Sequence, residues 1–140
     1  MGQSTTQMIT QAKHLYQSIG SVYCPAIKTV VVFNRYGYNH LIYDGHGHRR
    51  GEQNIKRRLH LLSTALTVVE KSKAVRKKDK ATIRVNGKIR KVIYFEICLS
   101  LKTNHQKHDV TVVMRKFEIG QPHFYTVRSN YKSQNKTKKP

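Results

Sequence analysis

Acid is scarce in this chain. Only 7 Asp and Glu stand against 27 Lys and Arg, a formal net charge of +20 over 140 residues. Chemistry built on clustered carboxylates therefore has few residues to draw on. There are 2 cysteines, Cys24 and Cys98, far apart and adjoining apolar residues. They form neither a disulfide framework nor a CxxC pair, so buried thiols and a reducing, cytoplasmic workplace are expected. No apolar run approaches the roughly 18 residues that a spanning helix needs, so no membrane span is expected. The N-terminal residues lack the basic-then-apolar order of a secretory signal.

What remains is a basic protein with core-forming residues. Hydrophobic content of 38% with 9% aromatics argues against disorder of the whole chain. The charge thus decorates a folded domain and favours a polyanionic partner, for which nucleic acid leads over anionic membrane. The length suits one domain over residues 1–130. Residues 131–140, composed of Tyr, Lys, Ser, Gln, Asn, Thr and Pro, read as a basic disordered tail.

Residues 5–19 place Met8, Ile9, Ala12, Leu15, Tyr16 and Ile19 at helical spacing, with Gly20 as a stop. Pro25 breaks regular structure, and residues 28–33 read as a short buried strand. From Asn34 to Gly51, aromatics, histidines, arginines and glycines crowd into what reads as a ligand-contacting loop. Ile55, Leu59, Leu62, Leu66 and Val69 form the stripe of an amphipathic helix, with Ser63-Thr64 as a place to divide it. Asn86-Gly87 signals a hairpin. Its second arm sends Ile89, Ile93, Phe95, Ile97, Leu99 and Leu101 to one face and Arg90, Tyr94, Glu96, Cys98 and Ser100 to the other. Residues 110–117 and 123–128 continue the meander. The expected fold is α+β: N-terminal helices packed on a four- to five-stranded antiparallel meander.

RNA supplies its own nucleophile, the 2′-hydroxyl, so its cleavage needs a base, an acid and cations around the phosphorane, but no metal or other cofactor. Histidine suits the first two roles near neutral pH and arginine the third. His40, among Tyr38, Leu41 and Ile42, is the first candidate for acid or base. His46, His48, Arg49 and Arg50 follow as phosphate contacts, although His46 and His48 also permit a metal-dependent DNA nuclease reading. His105 and His108 read as turn residues. On the last strands Arg115, His123, Tyr125, Thr126 and Arg128 are polar amid apolar alternation, which puts His123 with Tyr125 and Thr126 with Arg128 on opposite faces. Glu96 reads as the partner of a neighbouring cation. Tyr36, Tyr38, Tyr43 and Tyr94 offer stacking surfaces that favour unpaired RNA over duplex DNA.

The order of strand, aromatic His segment, basic helix and meander resembles the barnase–EndoU–colicin–RelE superfamily of ribonucleases, in its phage- and toxin-associated branch. The residues that carry the likeness are Val30-Val31-Val32-Phe33, Tyr36-Gly37-Tyr38-Asn39-His40-Leu41-Ile42, His48-Arg49-Arg50, Arg57-Arg58-Leu59 and His123-Phe124-Tyr125-Thr126-Val127. The resemblance implies a metal-independent endoribonuclease toxin that cuts tRNA or another structured RNA to a 2′,3′-cyclic phosphate. It implies His40 as acid or base, His48 and Arg49 at the phosphate, and His123, Tyr125 or Thr126 completing the site. Arg50, Arg57, Arg115 and Arg128 would bind RNA, and an acidic immunity or antitoxin protein would cover the basic face. The alternative is a non-catalytic RNA- or DNA-binding module with the same surface.

Overall fold

The computed structural model describes residues 4–43, 48–103 and 106–131. The fold is α+β, with helices α1 (Thr5–Ile19), α2 (Arg35–Ile42), α3 (Glu52–His60) and α4 (Leu62–Lys71). Its strands are β1 (Ser21–Cys24), β2 (Thr29–Val32), β3 (Lys77–Val85), β4 (Lys88–Thr103), β5 (Gln106–Phe117) and β6 (His123–Tyr131). They form a six-stranded sheet in the order β1-β2-β6-β5-β4-β3. All neighbours are antiparallel except β2 and β6, which run parallel and meet at Val32 and His123.

This exceeds the expected four or five strands. The addition is β1, four residues before Pro25 that are too few to show a period, and it pairs back on β2 through the Pro25–Lys28 turn. Elsewhere the local signals act as expected. Ser4 caps α1 in a reciprocal box with Gln7, and Gly20 ends that helix with φ of 67°. Asn86 and Gly87 both take positive φ, as a tight β3–β4 turn demands. The amphipathic stripe divides into α3 and α4 at Leu61, earlier than Ser63-Thr64.

The core lies between α4, α1 and one face of the sheet. Ile55, Leu62, Val68 and Val69 meet Val31, Ile97, Val110, Val112, Met114 and Phe124 there, all fully buried. His108 belongs to this face of β5 and is no turn residue: it is 3% exposed, with Nδ1 2.6 Å from Ser129 Oγ. Its polarity made residues 102–108 read as a turn, whereas β4 and β5 pair out to Thr103 and Gln106. His105 and residues 132–140 lie outside the described residues.

Where a loop was expected after Asn34, the chain forms α2. Asn34 caps it by accepting from the Tyr36 amide. Its last two residues, Leu41 and Ile42, are buried in the core. Gly37 makes the close approach possible, since a Cβ there would strike the Phe124 carbonyl and stand 2.5 Å from the Tyr16 hydroxyl. That hydroxyl donates to Asn34 O at 2.7 Å, and Tyr38 donates to Ile9 O at 3.2 Å. Helix α1 thereby holds α2 against β6.

Candidate nucleic-acid site

Residues paired directly across an antiparallel ladder share a face. Tyr94, Glu96 and Cys98 of β4 stand opposite Arg115, Val113 and Thr111 of β5, on the face turned away from the core. On β6 the partners of Arg115, Val113 and Thr111 are His123, Thr126 and Arg128. Tyr125 is an extra residue, because the register shifts between Val113 and Met114. This β-bulge changes the result expected from simple alternation. His123, Thr126 and Arg128 lie on one face and Tyr125 joins them, while Phe124 and Val127 fill the core.

The side chains around that bulge form a connected group. The His40 ring from α2 stacks on Tyr125 with centroids 4.3 Å apart and planes 19° from parallel. Arg50 donates from Nε to His40 O at 3.0 Å, and its Nη2 lies 3.4 Å from His40 Nε2. Arg58 of α3 donates to Thr126 Oγ1 at 2.8 Å. Tyr94 meets Tyr125 edge-on at 5.8 Å. Burial raises the pKa of Tyr125 although Arg115 and Arg50 act against it, so the phenol keeps its proton at neutral pH.

Arg115 is the buried cation of the site, 7% exposed on an interior strand. Its guanidinium lies 4.4 Å from the Tyr125 centroid, 5.0 Å from Phe117 and 5.3 Å from Tyr36. Its Nε donates to His123 Nε2 at 3.1 Å. His123 is 2% exposed, and burial followed by the charge of Arg115 lowers its pKa to about 4. At neutral pH it is an uncharged acceptor that orients Arg115. Tyr36 closes over it at 5.2 Å.

Arg58 shows the electrostatic character most plainly. Burial first, then the like charges of Arg50, Arg57 and Arg128, lower its pKa to about 10. Among the described residues no carboxylate forms an ion pair with Arg50, Arg57, Arg58 or Arg115. Glu96, the nearby acid, is engaged by Arg128 at 3.0 Å and Arg76 at 3.6 Å, as its expected pairing role required. Beside this cluster Arg57, Arg58, His60 and Arg128 border a groove of about 530 Å³.

The structure thus brings His40, Arg50, Arg58, Arg115, His123, Tyr125 and Thr126 together, with Arg57 and Arg128 along the adjoining groove. His48 and Arg49 are exposed on the segment returning from Tyr43, and Arg50 is the member of that run that reaches the cluster. Tyr38 is spent on α1, and Tyr43 is 45% exposed. In the sequence Arg58 stood out only within the Arg57-Arg58-Leu59 run that carries the resemblance. Nothing local to its sequence reveals the bond to Thr126, which lies 68 residues away. His46 lies outside the described residues, and among those described no three His, Cys, Asp or Glu side chains gather as metal ligands. Both cysteines are free thiols, Cys24 buried. No described helix is long and apolar enough to cross a membrane. Compared with known protein families, curated proteins and solved structures, the chain matches none.

Proposed function

We propose that the protein is a ribonuclease that cleaves RNA by attack of the 2′-hydroxyl on the adjacent phosphorus, leaving a 2′,3′-cyclic phosphate and a 5′-hydroxyl. The observation that carries this reading is the stacked His40–Tyr125 pair set among Arg50, Arg57, Arg58 and Arg115, which have no carboxylate partner among the described residues. Packing cations together is unfavourable unless an anion joins them, and a phosphodiester with growing phosphorane charge is such an anion. His40 is the proton-transfer group. Tyr125, protonated at neutral pH, is the candidate donor to the leaving 5′-oxygen. Arg115, fixed by His123, and Arg58, fixed by Thr126, neutralise the phosphate. Tyr36 and Tyr94 supply ring faces or edges for unpaired bases. On this reading the resemblance to the barnase–EndoU–colicin–RelE ribonucleases reflects function, and the partners are structured RNA and an acidic inhibitor protein.

The test is incubation with tRNA and total cellular RNA in the presence of EDTA. The expected result is discrete fragments that end in a cyclic phosphate. Intact RNA that the protein nonetheless retains would favour the non-catalytic binding module, for which the same cluster of arginines argues.

A further inference from the structure

The second cationic surface lies on the opposite face of the sheet, beyond the helical layer. Phe95 and Ile97 face the helices, so alternation sends Ile93, Lys91 and Ile89 of β4 the same way. Register adds Lys78, Lys80, Thr82 and Arg84 from β3, and Lys116 from β5. Helices do not cover this part of the face: Ile89 is 64% exposed, and Lys78, Lys80, Arg84 and Lys91 are exposed. Lys80, Ile93 and Lys116 form one row across three strands, with Lys91 beside them. The three lysines border a hollow of about 390 Å³.

Lysines on the free edge strand β3 have an ordinary role, because they discourage edge-to-edge pairing. That role does not extend to Lys91 and Lys116, which belong to the interior strands β4 and β5. Among the described residues no carboxylate forms an ion pair with Lys80, Lys91 or Lys116. Asp79 pairs with Lys77 on the other face. Glu118, at the rim of the hollow, is held by the Lys91 amide and the Arg90 guanidinium, and these bonds lower its pKa. Lys116 Nζ donates to the Phe117 carbonyl at 3.3 Å.

We infer that Lys80, Lys91 and Lys116 form a second RNA-binding site that takes the phosphodiester backbone of a double-stranded stem. The inference rests on the proposed RNA reading and names which part of the RNA lies where. Lysine is a point charge that binds phosphate without reading sequence. The face around His40 carries rings suited to unpaired bases. Phe117 lines the hollow, but its ring is taken up by Arg90 and Arg115 of the other face, at 4.4 and 5.0 Å, and Phe95 on the lysine face is half-buried with Lys78 5.8 Å from its ring, so phosphates are what this face recognises. A structured RNA would place a loop against Tyr125 and lay its stem around the β3 edge.

The test compares wild type, the triple variant Lys80→Gln/Lys91→Gln/Lys116→Gln, and the control Lys13→Gln/Lys28→Gln/Lys71→Gln, all checked for folding by thermal melts. Fluorescence anisotropy measures binding to a blunt RNA duplex and to an unstructured single strand across a salt series. The triple variant should bind duplex about tenfold or more weakly at physiological salt, with a log–log salt slope shallower by about 2 to 3. Its single-strand affinity and the control's duplex affinity should change by less than about threefold, since both keep the relevant phosphate contacts. Equal duplex affinity and slope in wild type and triple variant would overturn the site. So would equal loss in the control. Unchanged duplex affinity with lost binding to polyglutamate would assign the lysines to an acidic protein and also overturn it. Failure of wild type to bind either RNA would instead remove the RNA reading on which the inference rests.

Discussion

At the scale of single residues, burial decides which histidine does what. His123 looks as suitable as His40 in the sequence, yet it is enclosed and spends Nε2 on Arg115. Its folded pKa of about 4 lies below the ordinary histidine value near 6.5. Between those values the unfolded chain binds the extra proton and the folded chain does not, so stability falls as pH drops from 6.5 toward 4. Thermal melts over that range should show the fall, and His123→Gln should make it shallower. Because Gln offers Arg115 an oxygen acceptor, His123→Gln should also keep RNA affinity that His123→Leu loses. Equal affinities in the two variants would remove the positioning role. Removing Arg115 itself, as Arg115→Met, should weaken RNA binding by about tenfold or more, read in the same anisotropy assay.

At the scale of elements, the site depends on α2 lying against β6 and on the bulge at Tyr125. Gly37→Ala forces a methyl group against Phe124 and Tyr16. It should cost about 2 kcal/mol or more in urea unfolding, and a loss below about 0.5 kcal/mol would contradict the packing described. Elements with local instructions were legible in the sequence: α1 through its spacing and Gly20, the β3–β4 hairpin through Asn86-Gly87, and the core face of β4 through alternation. Helix α2 was not, because Gly37 and Asn39 are weak helix formers and its aromatics suited a ligand loop equally well. The bulge was hidden for a different reason. An extra residue has meaning only against the strand it fails to pair with, so His123, Tyr125, Thr126 and Arg128 were recognised individually but wrongly divided between two faces. His40 and Arg115 were legible as residue types. Their meeting over Tyr125 is a product of tertiary structure.

At the scale of the whole molecule, a charge of +20 predicts RNA binding that weakens steeply with salt, and fast capture of an acidic inhibitor at low ionic strength. An RNA affinity that varies by less than about twofold between 50 and 300 mM salt would contradict this electrostatic account. Charge alone serves a passive binder and an enzyme equally well; the proposed enzyme reading rests on the His40–Tyr125 stack. The most direct measurement is therefore single-turnover cleavage of tRNA by wild type and by a folded His40→Ala variant, with RNA affinity measured in parallel. The account predicts that His40→Ala lowers the cleavage rate by about a hundredfold or more while affinity stays within about threefold. Cleavage that survives at the wild-type rate, or that falls only in proportion to binding, would contradict it.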